Sequence, residues 1–381
     1  MIKKLIPLLC LTQLASCALF GPNIDSPIPG GERVDHLIED DEEHFAALWK
    51  LTSGGENAEG YWSYAGDRLS FQRRNPAEGI DCDRIFTTDS MAPADRDLAG
   101  WTQLSGDQGA TTCAHFMPGD EEVIYASTHM MMEGCPPPPD HSKGYVWTLH
   151  PEYDLYVRPV DWVDEMNGID DEVWPERRLT ETWGYDAEAT VSPRGDRVVF
   201  TSTRSGDLEL WTCDLEGNDL VQVTTELGYD GGAFFSHDGE QLVYRRTEFP
   251  RDPEERAAAE AEYQALLGEN LVRPSAMEIY IIDADGSNNR QVTALGGANF
   301  APFFFPGDDR ILFSSNFASE SGREFDLYAV DVDGTGVERI TTYEGFDSFP
   351  MFSPDGRFVA FASNRGGDEE GETNLFVALW Q

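Results

Sequence analysis

Phe349–Arg365 reads FPMFSPDGRFVAFASNR. Phe349, Met351 and Phe352 lead into Ser353-Pro354-Asp355-Gly356, and an apolar run from Phe358 to Ala362 leads out. Proline pre-sets φ for a turn and glycine accepts positive φ, so two apolar runs flanking these four residues predict an antiparallel hairpin. The pattern returns in Tyr61–Arg74, His115–Thr128, Thr190–Arg204, Phe234–Arg246 and Phe303–Asn316. The second-strand aromatics Phe71, Tyr125, Phe200, Tyr244, Phe313 and Phe361 are 54, 75, 44, 69 and 48 residues apart. The shorter spacings match a four-stranded propeller blade, for which about 40 to 50 residues suffice.

The rest of each unit agrees. A third strand follows the hairpin as Leu208–Asp214, Glu278–Gly286 and Asp326–Gly334, and less clearly as Arg84–Asp89 and Tyr153–Asp161. A fourth ends in Leu, Val or Ile followed by Thr, in RRLTE, VQVTT, RQVTA and ERITT, which begin at Arg177, Val221, Arg290 and Glu338. The last hairpin has one strand after it, Asn374–Trp380, and its missing partner signature, LWKLTS, stands at Leu48–Ser53. The fold expected is therefore all-β, a six-bladed propeller whose N-terminal strand completes the C-terminal blade and so removes open sheet edges.

The Ser-Pro-Asp-Gly hairpin, the Asp-x-Asp-Gly turns at Asp283 and Asp331 and the hydrophobic-Thr ending resemble the TolB-type propeller repeat of bacterial envelope proteins, over roughly residues 45–381. The resemblance implies fold much more than function. The N-terminal α/β domain that accompanies the repeat in TolB is not expected in the short stretch before the first strand.

Met1-Ile2-Lys3-Lys4 is a basic leader and Leu5–Leu14 a short apolar stretch, too short to span a bilayer as a stop-transfer helix. Leu14-Ala15-Ser16-Cys17 resembles a lipobox, so residues 1–16 are expected to be removed and Cys17 lipidated. Ala18 after the cysteine implies, by resemblance to other lipoproteins, a periplasmic protein anchored in the outer membrane. Residues 17–44, with Pro, Gly and the acidic run Glu39–Glu43, read as a tether with little to bury.

With 70 acidic against 27 basic residues, the net charge is −43. That field excludes nucleic acid and anionic membrane surfaces as partners and is equally the composition of a salt-adapted or highly soluble protein. A monomer is expected. Cys213 aligns with Ile282 and Val330 and is expected in the core; of Cys82, Cys113 and Cys135, two could form a disulfide, and the sequence leaves the pairing open. No zinc spacing joins them to His115 or His129.

Loops between second and third strands share a face with the starts of the inner strands, and both long insertions are such loops. One is Thr128–Pro151; the other is Glu248–Ala276, with an expected helix capped by Asp252 and Pro253 and ending near Gly268. Long elaborations on one side mark it as functional.

Six residues before each turn stand Asn57, Thr111, Asp186, Asp230, Asn299 and Asp347, and Glu59, Cys113 and Glu188 come two residues later. If the first set rings the channel mouth, Asp186, Asp230 and Asp347 form a seat for a divalent cation, with calcium the candidate cofactor, or for a cationic ligand group. Short polar residues at strand starts can instead tie down turns. Arg204, Arg365 and His129, just after second strands, are expected on the same face, either as ligand contacts or as ion-pair partners of the carboxylates.

Two functions follow. The first is a membrane-tethered binding propeller presenting its loop face to an envelope protein, peptide or glycan. The second is an enzyme, a metal-assisted hydrolase or polysaccharide lyase, using channel-mouth carboxylates. No Gly-x-Ser-x-Gly elbow with a following α/β-hydrolase pattern occurs, which excludes a serine peptidase in cis.

Overall fold

The computed structural model describes residues 25–88, 101–138, 140–160 and 176–381. Six antiparallel sheets form the blades of a propeller. The inner strands are Glu56–Trp62, Thr111–Phe116, Asp186–Val191, Asp230–Phe235, Asn299–Phe304 and Asp347–Phe352. Blade six is completed by Phe45–Lys50, which pairs antiparallel with Asn374–Trp380 in the register Leu48↔Ala378 and Lys50↔Phe376. Glu32–Arg33 adds a fifth strand outside it.

Second strands are buried on both faces because each blade is sandwiched between two others; all of Val198–Ser202 and Phe358–Ser363 is buried. Such strands read as continuous apolar runs, whereas the two-residue outer strands are exposed or half-buried.

The hydrophobic-Thr signature has a direct physical role. The Thr hydroxyl accepts the N–H of the third strand where the outer strand peels away. Thr180 takes Leu155 at 3.0 Å, Thr224 takes Leu210 at 2.9 Å, Thr293 takes Ile279 at 2.8 Å, Thr341 takes Leu327 at 2.9 Å and Thr52 takes Leu375 at 2.8 Å. Blade one uses Ser105, which accepts from Ile85 at 2.9 Å. Serine in place of threonine is why the outer strand of that blade, Trp101–Gln103, escaped the pattern.

Residues 25–44 correct the tether expectation. Ile28 and Val34 are buried, and Glu42, in the acidic run, is 2% exposed. Arg365 reaches Glu42 with two bonds of 2.9 Å and Asp347 with one of 2.6 Å. Composition suggested a solvated segment; one buried arginine and two apolar anchors hold it on blade six. The expected signal peptide over 1–16, the expected lipidation site Cys17 and the expected tether up to residue 24 lie outside the described residues.

The blade-two and blade-four insertions pair with each other, Trp147–Thr148 against Leu271–Val272. Helix α1, Pro253–Leu267, is capped by Asp252, whose carboxylate accepts from the Glu254 and Glu255 N–H groups. The helix docks through Tyr263 and Leu266, and the Tyr263 hydroxyl donates to Asp207 of blade three. Cys82 of blade one and Cys135 of the blade-two insertion form a disulfide, with Cα atoms 5.5 Å apart. The first insertion thus reaches from blade one to the blade-four insertion. Cys113 and Cys213 are free and buried. Among the described residues no helix is long and apolar enough to cross a membrane.

Candidate binding site in the central channel

The six polar residues that begin the inner strands do not meet at the channel mouth. Each is buried and turned into its own blade or the preceding one. Asp186 accepts from Arg204 at 2.7 Å, Asp347 from Arg365 at 2.6 Å, and Asp230 faces Arg246 at 3.5 Å. Asn57 accepts from Arg73 at 2.8 Å and donates to the Thr373 carbonyl at 2.9 Å. Asn299 donates to the Met277 carbonyl at 2.8 Å, and Thr111 donates to the Asp83 carbonyl at 3.1 Å. The arginine bonds fasten the inner strand to the second strand of its own blade, and the carbonyl bonds of Asn57, Asn299 and Thr111 fasten it to the third strand of the preceding blade. Asp186, Asp230 and Asp347 therefore do not form the joint calcium seat expected of them, and their charges are opposed by arginines. Among the described residues no group of three or more His, Cys, Asp and Glu side chains is placed to hold a metal ion. Burial pushes the carboxyls of Asp186, Asp230 and Asp347 upward, against the pull of those arginines.

Arg204 lies over Phe200 and Trp211 within blade three, 4.9 and 5.3 Å from the ring centres. His129 bridges Ser127 at 2.7 Å and Glu176 at 2.9 Å and leans on Tyr156, which places it within blade two. Both side chains serve their own blades.

The residues that do converge stand two positions further along each inner strand. Glu59, Cys113, Glu188, Gly232, Ala301 and Phe349 all have φ between 50° and 60°. Each sits where the register between inner and second strand slips, as between Ala187 and Thr190 in blade three. A bulge residue in the left-handed region re-aims its side chain, here into the channel. All six line one cavity, with Tyr61, Phe234, Arg245 and Pro350 among the other walls; it holds about 480 Å³ of atom-free space, part of it open to solvent. Glu59, Cys113 and Glu188 were legible as deeper residues. Gly232, Ala301 and Phe349 were not, because the bulge occurs without a sequence marker: five of the six positions are not glycine.

The charges in the cavity are unevenly settled. Glu188 accepts from Thr201 at 2.7 Å, from Tyr229 at 2.8 Å and from the Gly232 N–H at 3.0 Å, and it pairs with Arg245. That pairing needs glycine at 232, since a Cβ there would lie 2.0 Å from the arginine Nη1. Attraction to Arg245 and these donors outweigh burial and hold Glu188 below the usual carboxylate range. Glu59 has the Tyr61 hydroxyl at 3.1 Å and no ion-pair partner among the described residues. Burial, with a contribution from Glu188, raises its carboxyl to about 7. Burial also pushes the Cys113 thiol well up, so it is a protonated donor and not a thiolate.

The paired insertions cover the Glu188 side of this mouth. Trp147 packs with Tyr229, and Arg245 lies 5.8 Å from the Trp147 ring centre and 4.5 Å from that of Tyr229.

Residues 272–370, spanning blade five and parts of its neighbours, match the family model described as the TolB beta propeller domain. Over those residues the chain carries repeats of the TolB type. A protein TolB homolog from Chlorobium luteolum is 27% identical over 144 residues, which is 32% of this chain and 32% of that protein, so the match spans about a third of the relative. TolB from Acinetobacter baumannii superposes with a TM-score of 0.54 at 17% identity, covering 84% of this chain and 65% of that one. A gluconolactonase from Xanthomonas campestris superposes at 0.52 with 12% identity, covering 89% and 91%. At these identities the two superpositions speak for the fold alone.

The raised carboxyls give the propeller a predictable pH response. Glu59 and Glu209 are both pushed by burial to about 7, and Asp83 and Asp326 to about 6. The folded state binds these protons more tightly than the unfolded chain, so stability falls as pH rises through the folded-state values. Lowering pH from 8 to 6 should stabilise by roughly 1.4 kcal/mol for each group titrating near 7. Burial lowers His115 to about 4, which opposes the trend only below its unfolded value near 6.5. Melting temperatures at pH 8, 7 and 6 check this. The Tm should climb, and Glu59→Gln should flatten part of the slope.

Proposed function

We propose that this chain is an envelope binding module: residues 1–16 are removed, Cys17 carries lipid that anchors the chain in the outer membrane, and the propeller over 45–381 presents its insertion face to a protein or peptide in the periplasm. The observation that carries the reading is where large apolar side chains are left in water. Met130, Met131, Tyr145, Trp183 and Phe317 are exposed, and all five belong to loops on the face that bears both insertions. The opposite face, with its hairpin turns, has Leu220, Val221 and Val337. Met, Trp, Tyr and Phe are the types enriched at protein interfaces. The cross-linked, sheet-paired insertions hold Met130, Met131 and Tyr145 on a stiff frame, which limits the ordering cost of binding.

The test uses a photo-crosslinking residue at Met131, Trp183 or Val221 in otherwise native cells. Discrete adducts are expected from the first two positions and not from Val221. Adducts from Val221 alone would move the interface to the other face. In the same cells, Cys17→Ser should lose membrane association, and equal partition of wild type and variant would sink the anchor.

One observation favours the enzyme reading as well. Glu59 is a buried carboxyl titrating at about 7 in a cavity, the property required of a general acid or base near neutral pH. A hydrolase or lyase of this chain would work from Glu59 and Tyr61 at the channel and not from the aspartates that begin the inner strands.

A further inference from the structure

The ring position occupied by Glu59 is filled by Gly232, Ala301 and Phe349 in blades four to six, so the fold itself does not call for an acid there. This distinguishes it from the strand-start aspartates, which recur because they fasten blades. Glu188 is matched by Arg245, whose guanidinium is spent on Glu188 and the Tyr229 hydroxyl. The cavity therefore contains one carboxylate more than it contains cations, under aromatic walls: Tyr61 and Phe234 have ring centres 5.7 Å apart, and Phe349 lines the same space. Carboxylate plus aromatic faces is the chemistry that recognises an organic cation. A buried carboxyl that rests only on neutral neighbours, the Tyr61 hydroxyl and the Cys113 thiol, with no ion-pair partner among the described residues, and that resists ionisation where it stands, is placed for something that arrives.

We propose that the channel cavity is a receptor for an alkylammonium or guanidinium group, as on a basic side chain of the bound peptide, which pairs with Glu59 and packs against Tyr61, Phe234 and Phe349. This rests on the binding-module reading and adds the chemistry of the ligand. The strongly acidic chain, at −43, favours the approach of such a ligand over long range. The groups facing Glu59 are Tyr61 on its own strand, Asp83 on the third strand of blade one, Cys113 in blade two, Tyr153 just before the blade-two third strand and the Glu188–Arg245 pair. Only Asp83 and Glu188 add negative charge. An arriving cation reverses the balance and favours ionised Glu59, so its binding expels a proton near neutral pH.

The experiment is calorimetric titration of the mature chain with butylammonium and butylguanidinium at pH 6 and pH 8, in two buffers of different ionisation enthalpy. Affinity should be about tenfold higher at pH 8, as for a carboxyl half-ionised near 7, with proton release visible in the buffer dependence. Glu59→Gln, verified as folded by its melting curve, should lose both the pH dependence and tenfold or more of the affinity at pH 8. Absence of binding by both probes, while crosslinking at Trp183 still captures a partner, would overturn the cation site and leave the binding module standing. Probe binding without crosslinks at the insertion face would do the reverse. Displacement of the probes by calcium, tighter and equally dependent on Glu59, would overturn the organic cation in favour of a metal.

Discussion

Arg365→Ala is expected to destabilise the propeller by roughly 3–5 kcal/mol, the range for removing one partner of a buried ion pair. Arg365, Asp347 and Glu42 side chains are all inaccessible to solvent. The guanidinium bonds both oxygens of Glu42, one of Asp347 and the Leu37 carbonyl at 3.2 Å. Truncation would leave two carboxylates facing each other in the interior with no cation. Arg204→Ala is the internal comparison: the same repeat position, but a single carboxylate and 9% side-chain exposure, so a smaller loss. Denaturant melts of the two variants measure the difference. If unpaired charge is the cause, adding Glu42→Gln to Arg365→Ala should restore part of the stability, an interaction that a merely steric effect would not show. A loss below about 1 kcal/mol for Arg365→Ala would mean that water or the opposing backbone replaces the guanidinium.

The contrast between Arg365 and the rest of the molecule shows what sequence could convey. Repeats were legible because each recurrent residue answers a recurrent backbone need. Ser353 Oγ accepts from Phe358 N–H at 3.0 Å to close its hairpin, and Thr341 accepts from Leu327 to release the outer strand. Such local demands write themselves into every blade. The strand-start aspartates were legible for the same reason, and their regularity belonged to the scaffold, not to a metal. The channel wall was harder to read because bulges re-aim side chains without changing composition, so nothing marks Ala301 or Phe349 as a counterpart of Glu59. The Glu42–Arg365 contact and the pairing of Trp147 with Val272 join residues 323 and 125 positions apart. They occur once, and a single occurrence carries no periodicity. The Cys82–Cys135 disulfide belongs with them: spacing allowed it, and only the path of the insertion over blade one selected it.

Removing residues up to Ser53 should have the larger effect of the two and leave no stable monomer. Phe45–Lys50 supplies the fourth strand of blade six, and Phe45, Leu48, Trp49 and nearby Leu51 are buried. At about 1.5–3 kcal/mol for each large apolar side chain, their loss amounts to roughly 6–12 kcal/mol, as much as the whole stability of a typical domain. The consequence also has a direction. Asn374–Trp380, buried along all but its last residue, would become an exposed apolar edge, the kind that recruits another chain. Size-exclusion chromatography should therefore find aggregates or strand-exchanged oligomers. A synthetic peptide spanning residues 42–53, added during refolding, should recover monomer by filling the vacant edge and returning Glu42 to Arg365. A truncated chain that elutes as a monomer with an unchanged Tm would show that the ring closes without this strand. Truncation before Glu42 is the gentler control. It keeps the closing strand and the buried ion triad, giving up Ile28, Val34 and the Glu32–Arg33 edge, so it should remain monomeric with a lowered Tm.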